Sequence, residues 1–503
     1  MLACSMATLL RLARGKLINS KTSFIASFLQ TSSVHFSSSS SRIILPHFST
    51  SAPAPPTPLL YIDDIVRDLS PADSGLIELV KKAEPFLPSV SHALDFLRQS
   101  GLQPDPDSFS SAIWNFRDEW KLALLVFNWG QECHRRHEKL WSLMIWVLGR
   151  CRKFNVAWSL IRDLYRYKMD ARFAMLIMIE RYAANGDPGK AIRTFHMLEK
   201  LNLSIDVEAY YDLLWFLCTH GSLQEAEDFM LCNKKLFPLS TESFNIILDG
   251  WCNLTDVSEA KRVWREMSKS CVISNEATYT HLIRCFSNAG NLFDSLRLYD
   301  GMLNKGWEPG CVVYNSLIYV LTRENCFKEA LKMLEKMKES GLQPDSCSYN
   351  SLLRPLCEAD RIPEARVIMC IMIKGSIDLN KDTYHAVLLA TNYEGTLKIL
   401  DRMSKASCGP SADTFLLLIA KFFRLEEPIK AMWIWDVMKL YNVSRESLHY
   451  QTLIQGLAAC GWLAKAKEVY AEMKCNGIKD NPKVKLLLKP PKGEKKKIKS
   501  DFR

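Results

Sequence analysis

Between Cys311 and Asp345 the chain reads CVVYNSLIYVLTRENCFKEALKMLEKMKESGLQPD, and its apolar positions fall into two helical sets. Tyr314, Leu317, Ile318 and Leu321 keep i, i+3, i+4, i+7 spacing, which gathers them on one face of an α-helix. Phe327, Ala330, Leu331, Leu334 and Met337 repeat that spacing after a break at 324–326. Gly341 and Pro344 then stop the second helix, because Gly accepts a left-handed C-cap and Pro cannot continue a helix. The segment predicts a helical hairpin whose apolar face is too small to close on itself and needs a stacked neighbour.

The same pattern recurs along the chain. One aromatic position returns at Tyr210, Phe244, Tyr279, Tyr314, Tyr349, Tyr384, Phe415 and Tyr450, at intervals of 34, 35, 35, 35, 35, 31 and 35 residues. A small-residue ladder runs through Ala123, Ala157, Ala191, Ala226, Ala260, Ser295, Ala330, Ala365, Ala431 and Ala466. A methionine ladder runs through Met267, Met302, Met337, Met372, Met403, Met438 and Met473. All three share the one short step, so a single repeat unit underlies them. The expected fold is all-α: an α-solenoid superhelix of two-helix repeats of about 35 residues, with small residues where helices approach most closely.

The 35-residue period, the VVYNSLI opening, the KEALKMLEKMKESG second helix and the LQPD ending resemble the pentatricopeptide repeat family, in its P-class, plant organellar form. Eleven units can be laid out, starting at 104, 138, 172, 207, 241, 276, 311, 346, 381, 412 and 447. The likeness is strongest in 241–380 and 447–481 and weaker before 207, and 381–411 lacks four residues between its helices. The tetratricopeptide repeat, 34 residues long with a Trp–Leu–Gly–Tyr pattern, fits less well.

The resemblance implies single-stranded RNA as the partner, with one repeat per nucleotide. The fifth and last residues of a repeat would meet the base edge and the second would flank its face. On that footing Asn315 and Asp345, flanked by Val312, imply uracil. Asn245 with Asn275, and Asn350 with Asn380, imply a pyrimidine; Thr280 with Gly310 implies a weak purine preference. Gln451 with Asn481, and His385 with Ser411, have no assignment. Leu176, Tyr211 and Leu416 depart from the pattern at the fifth position, although Tyr211 has a hydroxyl to use. Acidic second residues at Glu208, Glu242, Asp382 and Asp413 are expected to repel phosphate. Asn near a helix start also serves capping, so the argument rests on the shared register of Asn245, Asn315 and Asn350.

Composition changes the picture at the ends. Residues 1–62 hold Arg11, Arg14, Lys16, Lys21 and Arg42 with no acid, and are rich in Ser and Thr from Thr31 to Ser51. That is the composition of an organellar presequence, assigned to 1–50 and to the mitochondrion, with the chloroplast as the alternative. Residues 51–103 are read as a linker and N-terminal helical cap, 104–481 as the array, and 482–503 as a basic tail. Of the formal net charge of +10, the first 62 residues supply +5 and residues 479–503 supply +7, which leaves the array at −2. Phosphate attraction must therefore come from local patches, with candidates at 150–153, 162–166 and 262–265.

Catalytic chemistry finds no foothold in the sequence. The 16 cysteines are scattered without a CxxC pair, so neither a disulfide framework nor zinc is expected, and no cofactor or metal is assigned. After Asn481 there is neither the HxE nor the paired-cysteine segment that a deaminase domain needs. Cys218, Cys252 and Cys357 recur at one repeat position and are read as core; Trp129, Trp141, Trp146, Trp158, Trp433 and Trp435 are read as packing. No run of 18 apolar residues suggests membrane insertion. Two functions remain open: an RNA binder acting by occupancy on organellar transcripts (stabilisation, splicing, processing or translation), and a scaffold for partner proteins such as ribosomal or splicing components.

Overall fold

The computed structural model describes residues 71–476 apart from 88, 103, 135, 136, 202, 204, 205 and 407, together with 478, 484 and 485. The presequence reading of 1–50, the linker up to residue 70, Asn481 and nearly all of the basic tail lie outside the described residues.

All described regular structure is helical: 24 α-helices and one short 3-10 turn. Helices α1 (Pro71–Ala83) and α2 (Val90–Gln99) precede the array. The hairpins follow as α3/α4 (Pro106–Asn115, Trp120–Cys133), α5/α6 (Glu138–Arg150, Phe154–Arg166), α7/α8 (Arg172–Ala184, Pro188–Lys200) and α9/α10 (Val207–Thr219, Leu223–Cys232). Next come α11/α12 (Thr241–Asn253, Val257–Lys269), α13/α14 (Glu276–Asn288, Leu292–Asn304), α15/α16 (Cys311–Arg323, Phe327–Glu339) and α17/α18 (Ser346–Glu358, Ile362–Lys374). The last are α19/α20 (Lys381–Leu389, Tyr393–Lys405), α21/α22 (Ala412–Arg424, Pro428–Leu440) and α23/α24 (Ser447–Ala459, Leu463–Cys475).

The helices fall into two compact units, one of residues 71–289 and 294–308, the other of 290–293 and the described residues from 309 onward. Within each unit the first helix of a hairpin packs on its own second helix and on the first helix of the next hairpin, for example α9 on α11 and α15 on α17. This layering makes the fold an all-α array of stacked hairpins of the α-solenoid class. The ladders explain it physically. Every member of the alanine ladder, Ser295 included, is fully buried, so two helices approach there with nothing larger than a methyl or hydroxymethyl between them. The methionines and most of the aromatic ladder fill the space between layers. In the aromatic ladder Tyr279 is half-buried, and Lys305 lies over its ring at 4.6 Å.

The turn between the two helices of a repeat has its own signature. Its fifteenth residue adopts positive φ at Arg152, Gly186, Gly221, Thr255, Gly290, Asn325, Asp360, Glu426 and Gly461. Gly341 adopts φ +80° after α16, as its C-cap role requires.

The missing four residues of 381–411 do not come out of the connection between its helices. They shorten α19 to 9 residues, while the three-residue turn before α20 keeps the usual length. A lost helical turn uncovers carbonyls at the end of α19. Lys421 of α21, almost wholly buried, donates from Nζ to Leu388 O at 2.6 Å and to Thr391 O. Burial pushes its pKa down to about 7.

The packing assignments mostly hold. Cys218, Cys252 and Cys357 are buried, as are Trp129, Trp141, Trp146 and Trp435. Trp433 differs: it is 48% exposed and meets Tyr393 at a tilt, ring centroids 5.2 Å apart, because it falls on the outer side of α22.

Candidate nucleic-acid interface

The last residue of each repeat precedes the next first helix and serves as its N-cap. Asp206, Ser240, Asn275, Asp345 and Asn380 all accept from the backbone N–H three residues on. Ser, Thr or Ala occupies that third helical position. Where it is Ser or Thr its side chain joins the cap, as with Thr278 under Asn275 and Ser348 under Asp345. Asn, Asp and Ser are favoured at this position because a short side-chain oxygen reaches the unpaired N–H groups of the first turn.

The fifth residue is not a cap. It lies one turn into the first helix and reaches sideways to the cap of the following repeat. Asn245 Nδ2 donates to Asn275 Oδ1 at 3.1 Å, and Asn350 Nδ2 donates to Asn380 Oδ1 at 3.0 Å. Each cap oxygen also receives the N–H of the Thr beneath it, Thr278 at 3.0 Å and Thr383 at 3.0 Å, and the Thr383 hydroxyl adds a bond at 2.9 Å. Two or three donors on one oxygen fix the orientation of each cap carboxamide, with Oδ1 turned inward.

Two acceptors stand out. Asn315 Oδ1 and Asn350 Oδ1 are buried and meet no hydrogen-bond donor among the described residues. In the repeat beginning at 241 the equivalent atom, Asn245 Oδ1, accepts from Thr278 Oγ1 at 2.7 Å. Asp345, the partner position of Asn315, receives both Ser348 bonds on Oδ1.

The sequence pairs therefore come together at 245/275 and 350/380. Thr280 turns back along its own helix, donating to Glu276 O at 3.0 Å. Gly310 caps α15 without a side chain. Val312 is half-buried on the first turn of α15. Gln451 donates to Ser447 Oγ at 2.8 Å, within α23.

Two further members have no assignment in the sequence. Tyr211, which departs from the pattern but has a hydroxyl to use, places it 2.9 Å from Ser240 Oγ, so it occupies the same fifth-to-last link. His385 Nε2 lies 2.9 Å from Thr414 Oγ1, the residue under the Ser411 cap. Burial, then the Lys381 charge, pushes its pKa down to about 4, which keeps the ring neutral. The signal available was the polar residue at the third helical position (Ser243, Thr278, Thr383, Thr414), which accompanies each such link.

The acidic second residues are not all bare charges. Lys381 Nζ meets Asp413 Oδ2 at 2.6 Å, a pair between successive first helices. Asp382 is half-buried, and burial raises its pKa against the pull of Arg354 and Lys381. The expected repulsion of phosphate is thus reduced at Asp413.

Among the described residues no group of three or more His, Cys, Asp and Glu is placed to hold a metal ion, and no helix is long and apolar enough to cross a membrane.

A model of the PPR repeat family matches residues 239–288 and 309–358, and a PPR repeat model matches 173–203, 277–307 and 448–478. A mitochondrial pentatricopeptide repeat-containing protein of Arabidopsis thaliana is 46% identical over 94% of this chain and 88% of its own length. A second one from the same plant is 33% identical over 78% of this chain and 70% of its own. Among solved structures, the pentatricopeptide repeat protein PPR10 from maize is 17% identical, with a TM-score of 0.37 over 84% of this chain and 71% of that one.

Proposed function

The chain belongs to the pentatricopeptide repeat family, and from that premise we propose that it binds single-stranded RNA sequence-selectively in the mitochondrion and acts there by occupancy rather than by catalysis. The observation that carries the reading is the recurrent fifth-to-last pair, with Asn245–Asn275 and Asn350–Asn380 built alike and Asn315/Asp345 differing in one group.

That one group has a chemical meaning. With Oδ1 of Asn275 and Asn380 saturated inward, the carboxamide nitrogen faces outward as a donor, suited to an acceptor at N3 of cytosine. Asp345 has a carboxylate there; with Ser348 bound to Oδ1, Oδ2 accepts, suited to the N3–H of uracil. The buried Oδ1 of Asn350 lacks a donor, and the amino group of a cytosine supplies one. The preferred core site is therefore a pyrimidine at the repeats beginning 241, 311 and 346.

The mitochondrial assignment is supported by the two mitochondrial relatives and by the acid-free, Arg-bearing composition of residues 1–62. Bound RNA is shielded from nucleases and held unfolded, which permits stabilisation, splicing, end processing or translation of a transcript. A gel-shift titration against salt tests the reading: log K falls linearly with log salt for RNA binding. A full chain that retains no RNA at low salt, yet captures a partner polypeptide, contradicts it.

A further inference from the structure

The hairpins α3/α4, α5/α6 and α7/α8 carry Ser108, Ser142 and Leu176 at the fifth position, all buried, so they offer no base-reading pair. Their inter-helix turns instead come together on one edge. Arg150 Nε pairs with Asp118 Oδ1 at 3.0 Å, and Cys151 Sγ contacts Arg117 O at 3.5 Å, which seats the second turn on the first. Arg152 Nε donates to Asn185 Oδ1 at 2.8 Å, and Asn185 Nδ2 donates to Gly149 O at 3.2 Å, which joins the third turn.

Aromatic rings interleave with the cations on this edge. Trp114 and Trp146 lie 5.3 Å apart, with Arg117 5.0 Å from the Trp114 ring and Arg181 4.8 Å from the Trp146 ring. Gly149 makes this possible, since a β-carbon there would overlap the Arg181 side chain. Lys153 and Lys121 both approach the Trp120 ring, at 5.2 and 6.0 Å. Arg150 and Arg181 are neutralised by Asp118 and Glu180. Lys121, Arg152 and Lys153 are exposed, and among the described residues no carboxylate lies within ion-pair distance of them. In an array of net −2 this is a local surplus of positive charge held on a rigid aromatic base.

We propose that this edge holds the phosphate backbone of single-stranded RNA without regard to sequence, as an anchor for the strand beside the base-reading repeats. The inference rests on the RNA-binding reading above and adds a second kind of contact to it. The chemistry fits: guanidinium and ammonium groups, several of them beside indole rings, attract phosphates whatever the base sequence. The edge lies at the C-terminal ends of the first helices, about 12 Å along the helix from the fifth residue, so it does not compete with the pairs.

The test uses the full chain with labelled oligouridine and oligoadenosine of about 20 nucleotides. In the triple variant Lys121→Gln, Arg152→Gln, Lys153→Gln, affinity for both probes falls by the same factor, roughly tenfold, and the log K against log salt slope shrinks by about 2. The charge-conserving variant Lys121→Arg, Arg152→Lys, Lys153→Arg keeps affinity and slope, which separates charge from fold. The proposal is overturned if the folded triple variant keeps its slope, or if the loss is confined to one probe. If the wild-type chain binds neither probe, the RNA reading falls and this one with it. If the wild type binds and the triple variant matches it, only the anchor falls.

Discussion

Asn245 donates its amide N–H to Asn275 Oδ1 at 3.1 Å across 30 residues of chain, and the same oxygen caps helix α13. A residue placed to read a base is thereby tied to the start of the next helix. Asn275→Ala removes the cap, worth about 1 kcal/mol, and leaves the buried Asn245 amide without its acceptor, worth about 1–2 kcal/mol more. Asn275→Asp keeps the cap and the acceptor and costs less than Asn275→Ala. Thermal unfolding of Asn245→Ala, Asn275→Ala and the double variant gives the coupling, and strict additivity would contradict the link.

A second cross-repeat tie joins second helices. Glu227 of α10, only 4% exposed, receives both Nη groups of Arg262 of α12 at 2.7 Å. Arg262→Met strands a buried carboxylate. The cost is expected near 2 kcal/mol, below the 3–5 typical of fully buried pairs, because the guanidinium is over a third exposed. Pairing it with Glu227→Gln recovers part of the loss. Denaturant midpoints measure both, and equal midpoints for the single and double variants would refute the pairing.

Gly250 tests helix approach. Ala exceeds Gly in helix propensity by about 1 kcal/mol, so Gly250→Ala in α11 would stabilise an isolated helix. Here the new β-carbon would overlap the Leu223 side chain and press on Cys218. Overpacking costs about 1–3 kcal/mol, and the net effect is destabilising. A raised melting temperature would show that α9 and α11 lie farther apart.

His385 sets a pH dependence. Burial and the Lys381 charge lower its pKa from the usual 6.5 to about 4. The folded chain therefore binds fewer protons than the unfolded one between these values, and stability falls as pH drops from about 6.5 to 4, by up to about 3 kcal/mol. His385→Gln flattens that window of the stability curve, leaving the contributions of the carboxylates. An NMR titration midpoint near 6.5 for His385 would contradict the burial.

Periodic features were legible and aperiodic ones were not. The ladders fixed the hairpin starts from 138 onward because each repeat solves the same packing problem, whereas capping, expected of the fifth-position Asn residues, belongs to the last residue of each repeat. Lys421 was invisible: a lysine in an apolar helix gives no sign that it plugs the end of a shortened neighbour. The charge partner of Asp413 was missed for a similar reason, since Lys381 belongs to a different hairpin and recurs nowhere else. Trp433 read as packing along with Trp435, yet residues two apart lie on opposite sides of a helix and only one face of α22 meets neighbours. The partnering of Asn245 and Asn350 with the next cap needed distances, since the sequence shows two polar residues 30 apart and no bond between them.

The most direct measurement is the base preference of Asp345→Asn. Asn caps a helix as Asp does, so the fold is retained, while the outward carboxylate oxygen becomes an amide donor like those of Asn275 and Asn380. Binding is measured to RNAs that differ only at the nucleotide assigned to residues 311–345. The wild-type chain should prefer uracil there and the variant should shift toward cytosine, with the other positions unaffected. An unchanged preference in a variant that still binds RNA would contradict base reading by the fifth and last residues.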